Sequence, residues 1–75
     1  SIALRYAAWS LAELQRHEEA IDTATRAAAL ADRAADRVEF ERATGIAIDS
    51  LAKTGRFADA IRALSQASRF RAEPA

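Results

Sequence analysis

Apolar residues recur along this chain at three- and four-residue steps, and four stretches of this kind predict four helices. In the first, from residue 2 to about 14, Leu4, Ala7, Ala8, Leu11 and Leu14 make one apolar face, while Ile2, Tyr6, Trp9 and Glu13 form a stripe on a different side. Gln15-Arg16-His17 is a polar corner. The second helix is expected from about Glu18 to about Ala34, with Ile21, Ala24, Ala28 and Leu30 or Ala31 inward. Glu18, Glu19 and Asp22 lie in its first turns, where the helix dipole favours acids. Asp36 and Glu39 have the spacing of a capping box, which starts the third helix; an unbroken helix through residues 30–40 is the alternative. That helix runs to about Lys53 with Phe40, Ala43, Ala47, Ile48 and Leu51 inward, and Gly55 ends it as a left-handed residue. The fourth helix runs from about Phe57 to about Phe70 and turns Ala60, Ile61, Leu64 and Ala67 inward.

The pattern repeats. Ala3, Ala7, Ser10, Leu11 and Ala12 are matched forty residues later by Ala43, Ala47, Ser50, Leu51 and Ala52. Arg16, Ala20, Ile21 and Ala27 are matched by Arg56, Ala60, Ile61 and Ala67, and His17 stands opposite Phe57. Alanine matches come easily in an alanine-rich chain. The Leu, Ile, Ser and Arg matches carry the inference, and they hold one register. Two helix–corner–helix units follow, at residues 2–35 and 36–70, with a frayed tail at 71–75.

Composition narrows the picture further. The chain has 75 residues, room for one small domain, and is 51% hydrophobic, mostly through alanine. With two Gly and one Pro there is little punctuation, which favours long helices with tight corners over strands. Eleven basic and eleven acidic residues balance. No basic face is offered to nucleic acid or to anionic lipid, so neither is expected as a partner. Cysteine is absent, which removes disulfide and thiol chemistry and suits a reducing compartment, so a cytoplasmic location is expected. The longest apolar run, Ala27 to Ala31, is cut by Asp32 and falls far short of a membrane span. The start at Ser1 implies either a removed leader or a piece of a longer protein. Abundant Arg and Ala beside the single Lys53 suggest a GC-rich, bacterial coding sequence.

The arrangement resembles the tetratricopeptide repeat. That family's unit has a small-and-large first helix, a corner often holding Gly then an aromatic, and a second helix opening acid-acid-Ala-Ile. Leu4, Ala7, Ala8, Leu11, His17, Ala20, Ala24 and Ala27 fall on the pattern in unit one; Ala47, Leu51, Gly55, Phe57, Ala60, Leu64 and Ala67 do so in unit two. The resemblance covers nearly the whole chain. It implies an all-α fold: two antiparallel helix hairpins, four helices in all, forming a segment of a right-handed α-solenoid. Three departures stand out. The period is longer than the family's usual value of about 34, with the extra residues falling at Asp32 to Val38 and no closing Pro. Ile48 stands where the family has Gly or Ala, and should push the third and fourth helices apart unless Ala60 makes room. Ala24 replaces a large residue and should leave the first unit's core thin.

The resemblance also implies a concave groove lined by the first helix of each unit. By position the groove would show Arg5, Tyr6, Trp9 and Glu13, with Ile2, from unit one, and Arg42, Ile46, Asp49 and Lys53 from unit two. Tyr6, Trp9 and Ile46 would be its apolar centre. An aromatic pair beside arginine is the composition of a binding hot spot. The alternative readings put Trp9 on a neighbouring unit or copy, or in the chain's own core. Some relatives clamp a peptide's terminal carboxylate with Lys and Asn; Trp9 and Asp49 occupy places where Asn would be needed, so that clamp is not expected. A protein or peptide partner is expected, with a self-associating homo-oligomer as the alternative, since two units bury little. Enzyme chemistry, cofactors and metals are not expected. His17 is the only histidine and reads as a corner residue, Glu18-Glu19 and the Asp32/Asp36 pair read as exposed charges, and no phosphate loop is present.

Overall fold

The computed structural model describes the backbone of residues 2–72 and the side chains of residues 2–68. Within it the chain is all-α: α1 (Ile2–Glu13), α2 (His17–Arg33), α3 (Arg37–Lys53) and α4 (Phe57–Ala72). Each helix joins the next through a three-residue corner, so consecutive helices run antiparallel as hairpins. The helix breaks after Arg33, and the unbroken alternative is set aside. Asp32-Arg33 finish α2 and Arg37-Val38 begin α3, so the long period is spent on long helices and not on an extended connection. α4 continues to Ala72, past the expected end at Phe70; residues 73–75 of the expected tail lie outside the described residues.

All three corners close in the same way. Gln15, Ala35 and Gly55 take positive φ values of 64°, 56° and 80°. The N–H of Arg16 donates to the Leu11 carbonyl at 2.9 Å and that of Gln15 to Ala12 at 3.0 Å. The pair recurs as Asp36 to Ala31 at 2.8 Å with Ala35 to Asp32 at 3.0 Å, and as Arg56 to Leu51 at 2.8 Å with Gly55 to Ala52 at 3.0 Å. This is the Schellman closure, in which a left-handed residue turns two amides back onto the orphaned carbonyls of the last turn. Only one of the three positions holds glycine; alanine and glutamine accept the left-handed cost at the others.

The next helix start is built differently at each corner. Asp36 accepts the Glu39 N–H at 3.2 Å and so caps α3. Only this half of the expected capping box is made, because the Glu39 carboxylate is engaged elsewhere. Arg16 and Arg56 instead reach the acid three residues on, Glu19 at 2.7 Å and Asp59 at 3.1 Å. Arg56 also bridges the units by reaching Glu18 at 3.0 Å, and Asp59 takes Arg62 as a second partner.

The core is almost entirely alanine. Ala8, Ala20, Ala24, Ala27, Ala31, Ala43, Ala47, Ala60 and Ala67 are buried, joined by Leu51. Ala8, Ala24 and Ala47 meet in one cluster, with Ile46 packed against it. Ala24 therefore marks the place where three helices converge, and its small size permits the approach. α3 and α4 pack together with Ile48 half-buried and Ala60 buried. Several residues expected inward are exposed, Leu14, Ile61 and Leu64, and Ala7 with them, while of Leu30 and Ala31 it is Ala31 that turns inward. The reason is geometric. Small residues occupy the lines of closest helix contact, and the large ones fall to either side.

α3 packs on α1, α2 and α4, whereas α2 and α4 do not touch among the described residues. The first helices of the two units are thus drawn together and the second helices splay, in a slab of 36 × 27 × 12 Å.

Two outcomes test the corners. Ala35→Gly removes a left-handed alanine and is expected to raise stability by about 1 kcal/mol, while Gly55→Ala lowers it by about the same amount, both read from urea unfolding. The Asp59 carboxyl is held below its ordinary value of 3.8 by hydrogen bonds from Arg62 and then Arg56. A lowered carboxylate pKa contributes stability that is present above the ordinary value and lost as pH falls through the lowered one. Acid unfolding of Asp59→Asn should therefore be shallower than that of the parent below about pH 4.

Candidate partner-binding surface

The residues predicted to bind stand on α1 and α3, which pack against each other. Tyr6 and Trp9 stand one turn apart on α1, 58% and 55% exposed, and Ile2 lies exposed on the same stripe. Glu13 is exposed at the end of α1. From α3 come exposed Arg42, Asp49 and Lys53, with Ile46 half-buried between the surface and the alanine cluster. Trp9 is not in the chain's own core. Asp49 and Lys53 satisfy each other at 3.0 Å, one helical turn apart.

Arg5 departs from its expected role as a groove cation. Its Nε donates to both carboxylate oxygens of Glu39, at 3.0 and 2.9 Å, and the two side chains are only 14% and 10% exposed. The pair ties α1 to the first turn of α3, so it joins the two units. The guanidinium also lies over the Tyr6 ring, 4.7 Å from its centroid. The Glu39 hydrogen bond raises the Arg5 pKa above its ordinary value, so the cation is held charged against the ring. Arg5 thus positions Tyr6 and is not itself presented to a ligand.

Glu39 is the residue that sequence reasoning missed. Its capping-box spacing suggested a local partner, and nothing nearby in the sequence points to an arginine thirty-four residues away. A cleft of about 250 Å³ lies between α2 and α4, over Phe40 and Thr44, edged by Thr25, Asp32 and Gln66. Neither the α1/α3 surface nor the cleft assembles reactive groups. His17 Nε2 lies 3.1 Å from the Gln15 side-chain oxygen, within its own corner. Among the described residues no three or more His, Cys, Asp or Glu side chains are grouped to hold a metal ion, and no helix is long and apolar enough to cross a membrane.

No family model, curated protein or solved structure matches the chain at a significant level.

The two ion pairs on this side should differ in weight. An exposed pair one turn apart contributes about 0.3–0.5 kcal/mol, whereas removing one partner of a desolvated pair strands the other charge. Glu39→Ala is expected to lower the melting temperature, followed by circular dichroism, by clearly more than Asp49→Ala. Equal shifts would show that the Arg5–Glu39 bridge is no stronger than a surface contact.

Proposed function

We propose that the chain is a tetratricopeptide-like protein-interaction module that binds a peptide or helix along the α1/α3 side. The single observation that carries this reading is the Tyr6–Trp9 pair, held in the open on a rigid helix. Aromatic side chains supply large contact area at low entropy cost, and they dominate binding where they are exposed together. Arg5 fixes the Tyr6 ring from beneath, so part of the ordering cost of binding is met before a partner arrives. Ile46 extends the apolar strip, and Glu13, Arg42, Asp49 and Lys53 give it a rim of mixed charge. A partner of mixed charge with one or two apolar anchors suits that rim better than a strongly basic or acidic one. The absence of cysteine suits a reducing compartment such as the cytoplasm.

The test is selection of peptides from a random display library on the immobilised chain, followed by titration of the winners. Trp9 is the only tryptophan, so its emission reports occupancy of this side directly. Binders are expected to shift Trp9 emission to shorter wavelength. Their affinity should fall about thirtyfold in Tyr6→Ala, corresponding to about 2 kcal/mol for a hot-spot residue, with helicity unchanged. Binders that leave the emission and the Tyr6→Ala affinity untouched would place recognition elsewhere.

A further inference from the structure

The two outer helices expose apolar faces that are separate from the Tyr6–Trp9 side, and the internal repeat says what fits them. On α4, Phe57, Ile61 and Leu64 lie on one stripe, 62%, 64% and 52% exposed. Their counterparts forty residues earlier are His17 and Ile21, both half-buried, and Ala24, fully buried. α2 is packed by two helices, its hairpin partner α1 and α3 of the other unit, whereas α4 has only its hairpin partner α3. The same comparison holds at the other end. Ala3, Ala7 and Ser10 of α1 are exposed, while their identical counterparts on α3, Ala43, Ala47 and Ser50, are buried. The chain therefore carries one α2–α3 interface already formed, and the two halves of a second one left open at its opposite ends.

We infer that a second copy of this chain docks head to tail, its α1 lying on the α4 of the first as α3 lies on α2. Continuity with the formed interface supports that occupant. So does size: α4 presents large residues and α1 presents small ones. A two-fold pairing of α4 on α4 would instead set Phe57, Ile61 and Leu64 against one another. The ion pair that joins the two units, Arg56 with Glu18, has no counterpart at this end, because Ala58 replaces Glu18, so the second contact rests on apolar packing. The docking uses different faces at its two ends, so each added copy leaves the same two faces free. Association of this kind is heterologous and grows open-ended unless the rotation happens to close a ring.

Sedimentation equilibrium of the full chain tests this, with circular dichroism on the same samples. Weight-average mass is expected to climb with concentration beyond twice the 8.1 kDa of one chain. Leu64→Glu blocks the α4 face and Ala7→Glu the α1 face; both positions are exposed, so each variant alone should be a helical species of single-chain mass. An equimolar mixture of the two retains one intact pair of faces and is expected to form a dimer that grows no further. Ile61→Lys with Ala3→Lys should complement in the same way, which guards against misfolding of the first pair. Trp9→Ala should leave the assembly unchanged, so failure here and failure of peptide binding are told apart. A parent chain of single-chain mass at every concentration overturns the inference. So does a mixture that fails to associate, or a parent dimer that Leu64→Glu dissociates and Ala7→Glu does not.

Discussion

Three helices can converge on one point only where their side chains are small, and Ala8, Ala24 and Ala47 are the point on which α1, α2 and α3 converge. The distance between packed helices is set by the residues at the contact. Alanine brings the backbones as close as any residue with a side chain allows. The further alanines at 20, 27, 31, 43, 60 and 67 extend that condition along the remaining helix contacts. The tight corners depend on it as well. A three-residue connection can serve neighbouring helices only if those helices lie nearly in contact.

Such a core leaves the large apolar side chains unused. In most small domains leucine, isoleucine and the aromatics fill the middle; here most of them sit on the flanks of the contact lines. They gather into two kinds of surface. One is the Tyr6–Trp9 side, where α1 and α3 approach and Arg5 bridges to Glu39 while supporting Tyr6. The other is the pair of outer faces, where helices that have a neighbour on one side only retain the residues suited to a neighbour on the other. A single economy of packing thus generates both surfaces.

The helical plan was legible in the sequence because it rests on local rules. Three-and-four spacing marked each helix, Asp36 marked the start of α3, and the forty-residue register marked the units. Legibility failed where the decisive partner was distant or the residue atypical. Gly55 announces a left-handed corner, but Gln15 and Ala35 make the same turn with residues that disfavour it, and only the closing hydrogen bonds reveal them. Ile61 and Leu64 fit an inward stripe by spacing alone; their exposure follows from which side the neighbouring helix occupies. On the candidate surface, the exposure of Tyr6 and Trp9 was readable from their lying off the Leu4–Leu11 face. The withdrawal of Arg5 was not, since it depends on the first turn of a helix in the other unit.

The alanine core also bears on how the fold responds to temperature. The heat capacity gained on unfolding grows with the apolar area exposed, at about 0.45 cal/mol/K for each Å², and alanine exposes little. The increment for this chain should therefore lie below the usual value of about 12–15 cal/mol/K per residue. A small increment flattens the curve of stability against temperature. Stability then changes little over a wide range of degrees on either side of its maximum.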